Sequence, residues 1–141
     1  MPTKILAVDD DPEMRKTVGL LLTQRGYDVL QAGGGQEALE IIARERPRLM
    51  IVDQRMPGMD GLQVIKAARG IDGALLVIML TSEQELESAK CALNLGAVEY
   101  ITKPFDAEYL RAEVDRLLES GDHPKKFDSL GDNSVVIRPA E

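Results

Sequence analysis

Short apolar runs alternate with helical patterns along most of this chain, and the alternation predicts the fold. Five runs have the length of strands, and all but the second are nearly continuous in apolar residues. Runs of this kind are typical of strands that helices cover on both faces of a parallel sheet. The predicted strands are residues 4–8, 28–31, 49–53, 75–80 and 98–101.

Five segments have the spacing of amphipathic helices, with apolar residues three or four positions apart. The first segment has a clear start, since Asp11 can cap it and Pro12 suits its first position. Asp106 is expected to cap the last helix. Cys91, in the fourth helical pattern, is interpreted as a small core residue. The predicted buried stripes are Met14, Val18, Leu21 and Leu22; Ala38, Leu39 and Ile42; Leu62, Ile65 and Ala68; Leu86, Ala89 and Leu93; and Leu110, Val114 and Leu117 or Leu118.

Alternating strands and helices with short connections require right-handed crossovers, and therefore a parallel sheet with helices on both faces. We predict an α/β fold, a flavodoxin-like (βα)5 doubly wound parallel sheet with strand order 2-1-3-4-5. The domain should cover residues 1–120. Residues 121–141 have a different composition, rich in Gly, Asp, Pro and Lys, and are predicted to be a tail or linker.

Charge and hydropathy narrow the range of partners. The formal net charge of -7 argues against direct nucleic acid binding, which needs a basic surface. No apolar stretch approaches the ~20 residues that a membrane helix requires. The N-terminus leads directly into the first strand rather than into a signal sequence, so a cytoplasmic location without membrane attachment is predicted.

Polar residues stand where four of the predicted strands end. Asp9 and Asp10 follow the first strand, Asp53 ends the third, Thr81 follows the fourth and Lys103 follows the fifth. The carboxyl ends of parallel strands lie along one edge of a sheet, so these residues can converge on a single site. The switch point between the first and third strands would hold the three carboxylates.

Clustered carboxylates repel one another unless a cation neutralises them, and oxygen ligands at a sheet edge suit Mg²⁺. Asp53 could both ligate the metal and act as a nucleophile that accepts a phosphoryl group. Lys103 and Thr81 could contact the oxygens of that group, over which negative charge spreads in the transition state. No phosphate-binding loop for a nucleotide is present, so the phosphoryl donor must come from elsewhere.

Four motifs in order give the chain a family resemblance. They are Val8-Asp9-Asp10-Asp11-Pro12, Val52-Asp53 with Met56-Pro57-Gly58-Met59-Asp60-Gly61, Leu80-Thr81-Ser82, and Tyr100-Ile101-Thr102-Lys103-Pro104-Phe105. With these motifs the chain resembles the receiver domains of two-component response regulators, and is similar to the single-domain regulators of chemotaxis and phosphorelays. The resemblance covers residues from about 4 to about 119.

The resemblance implies that Asp53 is phosphorylated by a histidine kinase or a phosphotransfer protein. It implies that Asp10 ligates Mg²⁺ directly, that Asp9 does so directly or through water, and that the backbone carbonyl of Arg55 is a further ligand. Thr81 and Lys103 would contact the phosphoryl group. Thr81 and Tyr100 would be the switch residues, which remodel the face formed by the fourth helix, fifth strand and fifth helix.

Further expectations about partners and activity follow from the resemblance. The chain should be a signalling switch rather than an enzyme, catalysing only its own phosphoryl transfer and slow autodephosphorylation. Its signal would pass to a downstream protein or a fused output domain. The chain would be a monomer or a phosphorylation-dependent dimer.

Two other functions account for part of this pattern. A Mg²⁺-dependent phosphohydrolase or phosphotransferase acting on small molecules would usually carry a second acid/base carboxylate near its nucleophile, but residue 55 is arginine. A receiver-like scaffold without phosphorylation would not explain why Asp9, Asp10, Asp53, Thr81 and Lys103 occur together. Taken one at a time, several of the candidate residues also have an ordinary structural interpretation: Asp9 and Asp10 as a polar strand end, Thr81 as a helix cap, Tyr100 as an edge-strand aromatic and Lys103 as a solvated side chain.

Arg55 and Glu83 are predicted to tune the lifetime of the phosphorylated state. Each lies two residues after a predicted site residue, Asp53 or Thr81. An ion pair between them would cover the phosphoryl group and hinder attack by water. Exposed pairs contribute little to stability, so the proposed effect is steric and kinetic.

Overall fold

A computed structural model of the chain describes residues 2–82, 86–96 and 99–120, and within them five strands alternate with five helices. Residues 121–141 lie outside this part of the chain, so the predicted tail stays a prediction. The elements are β1 (Lys4–Val8), α1 (Pro12–Thr23), β2 (Asp28–Ala32), α2 (Gly35–Glu45), β3 (Leu49–Asp53), α3 (Gly61–Ile71), β4 (Leu76–Thr81), α4 (Leu86–Asn94), β5 (Glu99–Thr102) and α5 (Ala107–Ser120).

The strands form one parallel sheet in the order β2-β1-β3-β4-β5, which confirms the predicted topology. β1 and β3 have the predicted bounds. β2 is one residue longer than predicted and ends at Ala32, and β4 begins and ends one residue later than predicted. β5 (Glu99–Thr102) also ends one residue later, and its predicted first residue, 98, lies outside the described residues. The last residue of β4 is Thr81, so this side chain belongs to the strand itself rather than to the loop that follows it.

Alternate residues of the strands point to opposite faces, and each face has its own core. Leu6 and Val52 lie in the core that α2, α3 and α4 cover, whereas Ile5 and Ile51 lie in the core that α1 and α5 cover. All four side chains are at most 2% exposed. Burial on both faces explains why these strands have nearly continuous apolar sequences.

Two helices begin as the sequence predicts. The Asp11 side chain accepts a hydrogen bond from the Glu13 backbone N–H at 3.0 Å, and Pro12 occupies the first helical position of α1. The Asp106 side chain accepts from the Glu108 N–H at 2.8 Å at the start of α5. These bonds satisfy backbone donors that have no partner within the helix.

The prediction for Cys91 is wrong, because this side chain is exposed. The buried positions in the second half of α4 are Ala92 and Leu93. Cys91 precedes this pair by one residue, which turns its side chain away from the sheet. Of the three residues predicted for the buried stripe of α4, Leu93 is confirmed, while the side chains of Leu86 and Ala89 lie outside the described part.

Within the ranges that the structure describes, every helix is too short or too polar to cross a lipid bilayer.

Candidate functional site

The carboxyl ends of β1, β3, β4 and β5 bring the predicted site residues to one edge of the sheet. Asp53 is the last residue of β3 and pairs in register with Leu80 of β4, so Thr81 lies one residue further along the neighbouring strand. Lys103 directly follows β5, and its backbone N–H donates to the Thr81 carbonyl oxygen at 2.7 Å. The predicted convergence of the strand ends is therefore present in the fold.

Three carboxylates form an acidic cluster at this edge. Asp9, Asp10 and Asp53 each offer an oxygen, and these atoms all lie within 4.8 Å of one another. Asp9 and Asp53 are 4% and 3% exposed, while Asp10 is exposed to solvent. The arrangement combines two buried acids with one that a hydrated ion can reach.

The two oxygens of Asp9 differ in their surroundings. Asp9 Oδ1 accepts a hydrogen bond from the Asp11 N–H at 3.0 Å. Asp9 Oδ2 is buried and has no hydrogen-bond donor among the residues that the structure describes. Buried polar atoms normally have a partner. An orphaned carboxylate oxygen beside two other carboxylates therefore fits a hard divalent cation such as Mg²⁺.

The electrostatics of the cluster support this assignment. Burial, together with the neighbouring charges of Asp53 and Asp10, raises the pKa of Asp9 to about 6, while the Asp11 N–H and the Lys103 ammonium oppose this rise. The protein alone thus disfavours full ionisation of the cluster. A cation among the carboxylates would favour the ionised forms.

Asp53 is held by two groups that stabilise its charged form. Lys103 Nζ forms an ion pair with Asp53 Oδ1, and the Arg55 backbone N–H donates to Asp53 Oδ2 at 3.0 Å. Burial raises the pKa of the Asp53 carboxyl, while the Lys103 ammonium and the Arg55 N–H oppose that rise. A nucleophilic carboxylate needs to be ionised, so these contacts suit the predicted chemistry.

Of the remaining predicted residues, the structure describes Thr81, Tyr100 and Arg55 but not Glu83. Thr81 is buried, and its hydroxyl donates to the Ser82 carbonyl oxygen at 3.3 Å. Tyr100 is half-buried and packs against the core under α2, α3 and α4. The Arg55 side chain is exposed. Glu83 lies outside the described residues, so its pairing with Arg55 stays a prediction.

Two residues that the sequence did not single out also lie at the site. Arg15 Nη1 donates to the Asp9 backbone carbonyl oxygen at 2.7 Å. Gln54 follows Asp53 and is buried, and its side chain accepts from the Leu62 N–H at 3.0 Å. Neither belongs to a recognisable motif, because both act on backbone atoms that only the folded chain brings near.

Comparison with known proteins agrees with this geometry. The family model described as the response regulator receiver domain matches residues 5–115. The chain belongs to this family. It is 37% identical to the sporulation initiation phosphotransferase F of Bacillus subtilis, over 84% of this chain and 95% of that protein.

Longer relatives match only in part. The chain is 38% identical to the transcriptional regulatory protein GlrR of Escherichia coli and 39% identical to the response regulator MprA of Mycobacterium leprae, over 84% and 82% of this chain. It spans only 27% of the first protein and 50% of the second. Receiver domains thus occur both as nearly whole proteins and as parts of longer ones.

Solved receiver structures have the same fold. The chemotaxis protein CheY4 of Vibrio cholerae superimposes with a TM-score of 0.77 at 34% identity, covering 82% of this chain and 98% of that one. A CheY-like receiver domain protein of Methanospirillum hungatei gives 0.82 at 30% identity, covering 86% and 97%. The chain is therefore a phosphoacceptor module of two-component signal transduction, and the small-molecule phosphohydrolase is not favoured.

Proposed function

We propose that Asp53 is the residue that accepts the phosphoryl group. The observation that carries this proposal is the position of Asp53, which is buried, paired with Lys103 and within reach of Asp9 and Asp10. A carboxylate oxygen of Asp53 would attack the phosphorus of a phosphohistidine. The new P–O bond forms as the P–N bond breaks, and the donor imidazole leaves with the electron pair of that bond.

The acidic cluster would hold Mg²⁺ through Asp10, Asp9, Asp53 and the backbone carbonyl of Arg55. A bound Mg²⁺ would neutralise the carboxylates and draw charge from the phosphoryl oxygens. The Lys103 ammonium already faces Asp53 and would contact one of these oxygens, and the Thr81 hydroxyl would contact another. The site would thus stabilise a phosphoryl group without a phosphate-binding loop of the kind that holds a nucleotide.

Thr81 and Tyr100 would carry the signal away from the site. Thr81 ends β4, and its neighbour in register on β5 is Thr102, two residues after Tyr100. A contact between the Thr81 hydroxyl and the phosphoryl group is available only after phosphorylation, so it favours the conformation that makes it. We infer that Tyr100 then turns inward and that the face formed by α4, β5 and α5 changes.

The partners would be a histidine kinase or a phosphotransfer protein as donor, and a downstream protein or fused output domain as receiver of the signal. Residues 1–120 would form the receiver domain and residues 121–141 a tail or linker. The chain would be a monomer or a phosphorylation-dependent dimer. Beyond its own phosphorylation and slow autodephosphorylation we propose no catalytic activity.

The test of this function uses acetyl phosphate as a small-molecule donor. With MgCl₂, intact-mass analysis of the wild-type chain should show a gain of one phosphoryl group. Asp53→Asn keeps the size of the side chain but removes the nucleophile, and it should show no gain. EDTA should prevent the gain in the wild type. Equal labelling of Asp53→Asn would place the phosphoryl group elsewhere and end the proposal.

Arg55→Ala should shorten the lifetime of the phosphorylated chain. The exposed Arg55 side chain stands two residues beyond Asp53, where it would shield the phosphorus from water. Interactions of exposed charges amount to roughly 0.2–1 kcal/mol, so we expect dephosphorylation to accelerate by a factor between about 1.4 and about 5. The measurement is loss of the phosphorylated mass after removal of acetyl phosphate. Arg44→Ala, at an exposed position of α2, is the control, and an unchanged or slower rate in Arg55→Ala would contradict the shielding role.

A further inference from the structure

One residue, Gln54, is hydrogen-bonded both to the sheet and to the start of α3, so it contacts both ends of the loop that joins β3 to α3. This residue is 6% exposed. Its backbone N–H donates to the Leu80 carbonyl oxygen of β4 at 3.0 Å, which extends the pairing of the sheet past Asp53. Gln54 is therefore fixed to the sheet directly beside the loop that begins with Arg55.

Gln54 also accepts hydrogen bonds from the first two backbone N–H groups of α3. The Gly61 N–H donates to the Gln54 carbonyl oxygen at 3.0 Å, and the Leu62 N–H donates to Gln54 Oε1 at 3.0 Å. The first N–H groups of a helix have no partner within it, and an unpaired buried donor is costly. Gln54 thus supplies a backbone and a side-chain acceptor to the start of α3.

The approach between these segments is very close. A Cβ atom on Gly61 would lie 2.7 Å from the Asp53 carbonyl oxygen and 2.9 Å from the Gln54 Cα atom, both of which belong to the backbone. Such distances are shorter than side-chain carbon atoms tolerate, so only glycine allows α3 to begin here. Residues 55–60 therefore form a loop whose two ends meet at Gln54.

We infer that Gln54 is a positioning residue for the metal site, because its amide fixes the loop from which the Arg55 backbone carbonyl would reach the ion. This inference rests on the proposed function, in which the Arg55 carbonyl is a ligand. The Gln54 amide does not touch the ion. It acts by fixing the position of the start of the loop relative to the start of α3. Residues that do not touch a metal ion commonly orient its ligands in this way.

The test is the affinity for Mg²⁺ of the unphosphorylated chain, from an MgCl₂ titration followed by amide chemical shifts. Gln54→Met keeps the length of the side chain but removes the acceptor for the Leu62 N–H. The loss of a hydrogen bond made directly to a metal ligand typically weakens metal binding 10- to 100-fold, and because the Gln54 amide acts one step further from the ion we expect the lower figure, about tenfold. Gln54→Glu keeps an acceptor oxygen at the same reach and should bind at least as tightly as the wild type.

A matched control distinguishes positioning from capping. Gln63 also accepts a hydrogen bond at the start of α3, from the Asp60 N–H at 2.9 Å, but its side chain is exposed. Gln63→Met should weaken the helix start and leave the Mg²⁺ affinity near that of the wild type. All titrations are made at a temperature where circular dichroism shows the variants folded. If Gln54→Met does not fold, Gln54→Asn, which withdraws the oxygen by one methylene group, takes its place.

A second readout separates metal binding from chemistry. The MgCl₂ concentration that gives half the maximal rate of phosphorylation by acetyl phosphate should rise about tenfold in Gln54→Met, in line with its affinity, while the maximal rate stays close to that of the wild type. Wild-type affinity in Gln54→Met, or an equal loss in Gln63→Met, would overturn the inference and leave the proposed function intact. Failure of the wild type to bind Mg²⁺ would overturn both.

Discussion

Replacement of Lys103 by methionine is expected to slow phosphorylation by acetyl phosphate about 100-fold at saturating Mg²⁺, because loss of one preorganised group that stabilises transition-state charge typically costs 10²- to 10³-fold. The Lys103 ammonium forms an ion pair with Asp53 and is 30% exposed. It is therefore within reach of a group transferred to this carboxylate. Methionine keeps much of the apolar part of the side chain and removes the ammonium group, with its charge and its hydrogen-bond donors.

The rate would be measured from the growth of the phosphorylated mass with time. Lys66→Met is the control, since it removes a lysine from an exposed position of α3. The Lys103 backbone N–H still donates to Thr81 in the variant, so β4 and the end of β5 should stay joined. Phosphorylation of Lys103→Met at the wild-type rate would show that this ammonium plays no part in the transfer.

Replacement of Glu99 by glutamine is expected to stabilise the protein at neutral and higher pH. Glu99 is a buried acid of β5, only 3% exposed. The Tyr109 hydroxyl donates to its Oε2 at 2.9 Å, and Arg116 Nη2 lies 3.6 Å from its Oε1. Burial and the nearby Glu113 carboxylate together raise the pKa of Glu99 to about 7, while the Tyr109 hydroxyl and the Arg116 guanidinium oppose this rise. Glutamine keeps the acceptor for Tyr109 without the buried charge.

The sign of the pH dependence follows from the raised pKa. The folded state binds the Glu99 proton more tightly than the unfolded state, whose pKa is near the usual 4.5. The stability from this protonation is fully present below about pH 4.5 and is lost as the pH rises through about 7. The difference between Glu99→Gln and wild type should therefore grow across this window by about 3 kcal/mol, since each pKa unit corresponds to about 1.4 kcal/mol and the folded-state pKa of about 7 already includes the opposing charge of Arg116.

Urea unfolding at about pH 5 and about pH 8, with EDTA present, measures this difference in the free energy of unfolding. Comparison of the variant with the wild type removes the contribution of the acidic cluster, which both proteins share. Glu40→Gln changes an exposed carboxyl of α2 and serves as the control. A difference in stability that is the same at both pH values would contradict the assignment of a neutral buried Glu99.

The sheet could be predicted from sequence because its strands are covered on both faces. Leu49 to Val52 form an unbroken apolar run, and every one of these side chains is at most 2% exposed. The helix starts at Asp11 and Asp106 could be predicted because capping is local, depending on a side chain and a backbone N–H two residues apart.

The burial of a side chain was harder to predict where it depends on which side of a helix or strand faces the core. Cys91 lies among apolar residues in the sequence, but whether its side chain is buried depends on which face α4 turns to the sheet. That face contains Ala92 and Leu93, and Cys91 is exposed. The burial of Glu99 could not be predicted from the sequence, because an acidic residue interrupts the apolar pattern that indicates a buried strand. Its burial follows from Tyr109 and Arg116, which α5 brings over β5.

The acidic cluster and Lys103 could be placed from sequence because a parallel sheet brings strand ends to one edge. The roles of Gln54 and Arg15 could not, because their partners are backbone atoms whose positions depend on loops. For Gln54, the Leu62 N–H is eight residues away along the chain. For Arg15, the carbonyl of Asp9 comes within reach only when α1 folds back on β1.

The most direct test of the account is to locate the phosphoryl group chemically. After incubation with acetyl phosphate and MgCl₂, borohydride reduces an aspartyl phosphate to an alcohol, which converts the aspartate residue to homoserine. Peptide mass analysis should then find homoserine at position 53, in an amount that matches the phosphorylated fraction of the intact protein. Homoserine at another aspartate, or none in a chain that has gained a phosphoryl group, would contradict the claim that Asp53 carries the acyl phosphate.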